Sequence, residues 1–446
     1  MARSPSSQDS ARRWTPARYR ALLRAQGPRS VRFRTRLAIL MGAVAIGLAA
    51  TVFAKAADLA ADLFGAYAAR YPWAPLATTP LIFAALVWLT RRYVPLARGS
   101  GIPQVIAAQA DPERATGALV SVRTVVGKAL LTLAAVLGGA SVGREGPTVQ
   151  IAAAVMGLSH RLLRVPLRGA VLIAGGAAGV AAAFNTPLAG LLFAIEELAS
   201  AYEQKVTLLV LAAIVIAGMV AQSVQGDYVY FGLIGAHMPL VAALTAVPVA
   251  GLAGGIAGGL FSRLMLAMAT GTNRLTWWSR RRPVLFAAAC GLAVGGLGVA
   301  TGLTWGTGYG AARAMIVGVD APLWFGPAKF AATLATAIAG LPGGIFAPSL
   351  AVGAGIGNLL RPIFPDSPAS AIVILGMVGY FAGVVRAPLT AVIILSETTA
   401  SRGLMLPMFA TAFIADGASQ FVCREKLYHG LAKTFAMRKD GEEGRG

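Results

Sequence analysis

Apolar stretches follow one another along most of this chain, and many are too short or too broken to cross a bilayer alone. The first begins at Leu37 and fades near Phe64, and a second covers about 74–90, ending in Arg91-Arg92. Others lie near 116–142, 149–158, 169–183, 186–199, 206–222, 239–270, 284–304, 322–341, 347–360, 369–385, 387–398 and 404–422. A full span needs about 20 apolar residues. Helices broken by Gly or Pro persist at membrane depth only where protein or a polar cavity surrounds them, because lipid offers no partner to the freed backbone groups. The pattern predicts an all-α membrane protein of tilted and broken helices, more like a transporter or channel than a simple bundle. Composition agrees: 13% of residues are charged, against about 25% in a soluble domain.

The net charge of +21 does not indicate a nucleic-acid partner. The basic residues lie between the apolar runs, as the positive-inside rule requires. Residues 1–36 hold ten Arg and one Asp and are expected to form an uncleaved, largely disordered cytoplasmic tail. The 91–98 and 161–168 segments and Arg280-Arg281-Arg282 are placed on the same side. The 222–239 segment has no Lys or Arg, contains Asp227, and is placed outside. A short charged tail, 438–446, is expected to be cytoplasmic. Cys290 and Cys423 suggest neither a disulfide framework nor a zinc site.

An internal repeat organises the chain. Pro147 and Pro348 are 201 positions apart, and so are Pro187 and Pro388, and Glu196 and Glu397. Each pair sits in a similar apolar setting. Duplicated halves with broken helices place a binding site near the membrane midplane, where the halves meet. The boundaries are expected at 37–238 and 239–437.

Three segments read as helix starts: Gly99-Ser100-Gly101-Ile102-Pro103, Gly143-Arg144-Glu145-Gly146-Pro147 and Gly343-Gly344-Ile345-Phe346-Ala347-Pro348. Gly lets backbone approach an ion closely, and Pro suits the first helical turn. Free amides at such an end attract anions. A conducted halide needs donors that hold it without trapping it, which uncharged amides and hydroxyls supply. Glu145 is costly at membrane depth and marks a pathway or a partner. A carboxylate beside an anion-attracting helix end competes with a passing anion, and a proton removes that competition.

Together these motifs resemble the CLC family of chloride channels and chloride/proton antiporters, over roughly residues 35–435. The resemblance implies two inverted repeats and about 17–18 helices per subunit, in a homodimer with one pore in each subunit. It implies a multi-pass protein of the cell membrane with cytoplasmic termini. No CBS-type nucleotide-binding domain is expected, and the protein is expected to be a transporter, not an enzyme. The ligands implied are chloride and protons within membrane lipid, with no further cofactor. Carried over by motif, Ser100 and Tyr428 give hydroxyls to a central chloride, and the amides of Ile345 and Phe346 contact the same ion. Amides around Arg144, Glu145, Gly146 and Ala347 form the outer site, and those of Gly99 and Ser100 the inner one. Glu145 matches the gating glutamate. Glu197 matches the internal proton-transfer glutamate of antiporters, where channels typically carry an apolar residue, so exchange is expected over passive conduction. Lys128 matches a buried lysine that raises local positive potential. Ser100 favours chloride over fluoride, since fluoride-type members usually lack Ser there.

Other readings are weaker. Gly139-Ala140-Ser141-Val142-Gly143 fits the nucleophile elbow of a hydrolase. An intramembrane serine protease also needs a nearby His, and His160, His237 and His429 all fall outside the apolar runs. Glu397 is expected to be structural. Gln104 stands where many family members have Glu, and Asp416 has no role legible in the sequence.

Overall fold

The structure is a computed structural model that describes residues 28–198, 208–226, 229–232, 234–235, 237–271 and 274–435. Among the described residues there are nineteen α-helices and no strand. The 438–446 tail, most of the N-terminal tail and Asp227 lie outside the described residues. The first helix, Pro28–Arg70, starts with Pro in its first turn, ahead of the apolar run at Leu37.

Among the described residues, three helices are long and apolar enough to span a membrane by themselves: Ser30–Arg70, Val241–Thr270 and Pro283–Thr301. Met405–Val422 and Leu427–Lys433 are apolar enough together but meet at a 44° bend. The rest of the membrane core uses shorter pieces, such as Gly169–Phe184, Ala369–Val385 and Pro388–Thr399. These are surrounded by protein. Ala369–Val385 is buried along nearly its whole length. It crosses Phe346–Leu360 where Gly353, Gly357 and Gly376 meet, and a Cβ on any of the three would strike the other helix's backbone. Small residues allow such close crossings in membranes, where dispersion contacts and not water drive association.

The duplication is plain in the element order. Glu145–Leu162, Gly169–Phe184 and Pro187–Phe193 recur as Phe346–Leu360, Ala369–Val385 and Pro388–Thr399. Asn185 and Arg386, 201 positions apart, both close a helix in the left-handed conformation, with φ of 59° and 58°. The third sequence match has a physical meaning. The Glu196 carboxylate accepts from the amides of Leu389 (3.0 Å) and Thr390 (2.6 Å) at the start of Pro388–Thr399. The Glu397 carboxylate accepts from those of Leu188 (3.3 Å) and Ala189 (2.9 Å) at the start of Pro187–Phe193. Each half caps a helix of the other, placing a carboxylate at its positive end. Reciprocal contacts of this kind require an approximate two-fold axis between the halves.

Candidate anion and proton site

The three helix-start segments converge, and backbone hydrogen bonds stitch them together. Gly99 N–H donates to Leu341 O (3.2 Å), and Gly343 N–H donates to Gly99 O (3.2 Å). Gly143 and Gly344 exchange bonds of 2.7 and 2.8 Å. The glycines are needed for this approach. A Cβ on Gly146 would collide with Ser100, and one on Gly101, held at φ 115°, would strike the Gly146 carbonyl.

Ser100 and Tyr428 come from opposite ends of the chain and meet here. Their buried hydroxyls face each other closely enough to interact, yet neither has an aligned hydrogen-bond partner. Buried hydroxyls are rarely left unmatched, since each costs about 1–3 kcal/mol when it is. The Tyr428 ring is held by Phe346, centroid to centroid 5.9 Å, and Phe346 is locked in turn by Phe381 and Phe193. Ile345 caps the Phe346–Leu360 helix, so its first free amides point at this spot. A cavity of about 480 Å³ opens from Ser100, Tyr428 and Ile345 toward Arg91, Arg98 and Arg280. Its basic rim would concentrate anions.

Glu145 is buried at the first turn of Glu145–Leu162. Its carboxylate faces its own amide and that of Ala347, while Oε2 has no partner. A Cβ on Gly143 would run into that oxygen. The carboxylate therefore occupies space beside the two helix ends, and the backbone is cut back to make room for it. The Arg144 side chain points elsewhere, donating to Ala54 O (2.7 Å) and pairing with Asp58. Only the backbone of residue 144 is left to serve the site.

Glu197 is buried against His429, the residue that follows Tyr428. Glu196 and Glu197 occupy a short π-helical segment, Ala194–Leu198. Such segments often mark functional sites. The widened turn lets neighbouring residues serve different ends: Glu196 caps the opposite repeat, and Glu197 turns into the interior. Lys426 Nζ is 3.9 Å from Glu197 Oε2, and His429 Nδ1 is 3.3 Å from Oε1. Buried Lys128 donates to Gly99 O (2.6 Å) and anchors the Ser100 segment from behind.

The structure also accounts for residues that the sequence left open. Gln104 donates to Arg98 O (2.6 Å) and Leu96 O (3.2 Å), satisfying carbonyls of the preceding turn. Asp416 pairs with Arg386 (3.1 Å) and accepts from Gln420 (2.9 Å). Lys329, 201 positions after Lys128, anchors a second loop through Thr304 O (2.9 Å) and Gly306 O (2.7 Å). The repeat offset, applied to Lys128, would have found it. His429 falls outside the apolar runs of the sequence, but it sits in a helix against Glu197, and no local pattern signals that contact. Among the described residues no cluster of His, Cys, Asp and Glu suits a metal ion.

The fold and site together define a multi-pass membrane protein built from two antiparallel halves whose helix starts converge on a buried centre. The sequence profile of the voltage gated chloride channel family matches residues 81–420, and the chain belongs to that family. Solved structures share the fold. A slow cyanobacterial Cl⁻/H⁺ antiporter is 24% identical, with a TM-score of 0.77 over 90% of this chain and 98% of its own. A CLC-type fluoride/proton antiporter is 22% identical, with a TM-score of 0.76 over 87% and 96%. A eukaryotic CLC transporter is 22% identical, with a TM-score of 0.70 over 90% and 75%.

Proposed function

We propose that this protein exchanges chloride for protons across the cell membrane. One observation carries the reading: two buried carboxylates, Glu145 and Glu197, stand next to the segments that bring together the unmatched hydroxyls of Ser100 and Tyr428. Chloride is held by those hydroxyls and by the amides of Ile345 and Phe346. The outer position uses the amides of Arg144, Glu145, Gly146 and Ala347, and the inner one those of Gly99 and Ser100. Ionised Glu145 occupies the outer position. Once protonated it loses its attraction for the amides and leaves, chloride enters, and the proton passes on toward Glu197. Lys128 supports the site by its charge and by holding Gly99. A passive channel has no need of a buried acid at position 197, so its presence favours exchange.

The basic rim of the cavity supports a cytoplasmic location for that side and, with it, for both termini. The subunit is proposed to form a homodimer through the face that carries the reciprocal caps. Leu188, Ile195, Met219 and Leu406 are exposed there beside half-buried Glu196 and Glu397, and carboxylates are better covered by protein than by lipid.

The test is a flux assay in proteoliposomes reading both ions. An imposed chloride gradient is expected to drive protons the opposite way. Chloride flux without proton movement would reject exchange and leave a channel, and coupling to fluoride in preference to chloride would reassign the anion.

A further inference from the structure

We propose that His429 is the proton-access residue for Glu197: it takes protons from water on the face carrying Leu427–Lys433 and passes them from Nδ1 to the buried carboxylate. This rests on the chloride/proton exchange proposed above. The motivating fact is the isolation of Glu197. Its carboxylate is fully buried, and neither oxygen has an aligned hydrogen bond. A proton reaching it from water must cross whatever separates it from solvent. Two polar side chains stand there, Lys426 and His429, each about one-third exposed at 35% and 32%.

They are not equivalent. Lys426 Nζ is 3.9 Å from Glu197 Oε2 and also donates to Glu196 O (3.3 Å). An ammonium carries donors only and cannot accept a proton as it gives one up. It serves instead to keep Glu197 receptive. His429 Nδ1 is closer, at 3.3 Å from Oε1, and is itself buried without an aligned partner. An imidazole can take up a proton on one nitrogen while it gives one up from the other.

Two further charged contacts lie along this segment and its surroundings. Glu425 pairs with Lys433, 8 positions on, and the Arg98 guanidinium lies over Phe435, 4.9 Å from the ring centre. Neighbouring positions of one short helix thus divide the work. Tyr428 faces the anion and His429 faces the proton acceptor.

In the transfer, water protonates Nε2 of neutral His429, giving imidazolium. The Nδ1–H proton then passes to Glu197 Oε1, leaving a neutral imidazole and a carboxylic acid. The starting tautomer is restored through solvent: Nε2 returns its proton to water, and Nδ1 takes one up when the partly exposed ring turns outward.

The experiment compares the unmutated protein with His429→Gln in oriented proteoliposomes, reading chloride and proton flux together. Proton flux in His429→Gln is expected to fall at least fivefold, and millimolar imidazole on the Leu427–Lys433 face is expected to restore it. Proton flux equal to that of the unmutated protein would overturn the proposal. So would a loss that imidazole does not restore, which would make His429 a spacer or a counter-charge. A second measurement needs no variant: turnover of the unmutated protein should fall as the pH on that face alone is raised. Insensitivity to that pH would also overturn the proposal. If the unmutated protein moves chloride with no protons, the exchange reading itself has failed, which is a separate outcome.

Discussion

Gly143 and Gly344 are 201 positions apart and exchange both of their backbone hydrogen bonds as an antiparallel pair. They are the same residue of the two repeats, so the axis relating the halves passes between them. Antiparallel pairing also means that equivalent segments run in opposite directions, as inverted repeats require. Two residues later in each half, the helices Glu145–Leu162 and Phe346–Leu360 begin. Their positive ends therefore meet at the axis. An anion there receives both dipoles, which no single helix in this chain could supply.

The site's room is set by glycine. Gly146→Ala would push a methyl group into Ser100 and against Gly344. In an ordinary helix the same change stabilises, but overpacking a tight contact costs about 1–3 kcal/mol. Chloride binding is expected to weaken by about tenfold, which 1.4 kcal/mol would produce. Isothermal titration with chloride measures it, and unaltered affinity would show that Ser100 is not held in place by Gly146.

Tyr428→Phe removes one of the two unmatched hydroxyls and leaves the ring against Phe346. A hydrogen bond to a charged group contributes about 1.5–3 kcal/mol. Chloride affinity is expected to drop by at least tenfold with little change in melting temperature. Equal affinity in the same titration would remove Tyr428 from the anion site.

The two carboxylates should separate by function. Glu145→Ala is expected to abolish proton coupling while anions still pass, because the competitor for the outer position is gone. Glu197→Val is expected to stop proton transport and spare chloride flux. Paired flux measurements decide both. Retained pH-driven chloride uptake in Glu145→Ala, or unaltered stoichiometry in Glu197→Val, would return that residue to a structural role.

Lys128 and Lys329 allow a comparison between the repeats. Lys128→Met strips the donor from Gly99 O, and Lys329→Met strips it from Thr304 O and Gly306 O. Each abandoned buried carbonyl costs about 1–3 kcal/mol, so both variants should melt earlier in detergent. Only Lys128→Met should also weaken chloride binding, since only Gly99 adjoins Ser100. Equal effects on chloride would mean that charge, and not the anchoring of Gly99, is what matters.

Glu397→Gln tests the reciprocal caps. Weakening a helix cap costs about 0.5–2 kcal/mol. The variant is expected to melt earlier and to keep the wild-type ion ratio, because its carboxylate serves the start of Pro187–Phe193 and not the site. An altered ratio with normal melting would give Glu397 a part in transport.

The sequence by itself determined the membrane class, the 201-residue duplication and the segments that build the site. Those properties are written locally: apolar runs, Gly and Pro at helix starts, and acids placed where lipid would reject them. It also held Lys329 and the reciprocal caps in the repeat offset. Tertiary structure alone decided that Arg144 turns away toward Asp58, that Ser100 and Tyr428 are left without partners, and that His429 reaches Glu197. Those contacts join residues up to 328 positions apart. No periodicity encodes them, because they depend on how the broken helices pack and on which way each terminal turn directs its side chains.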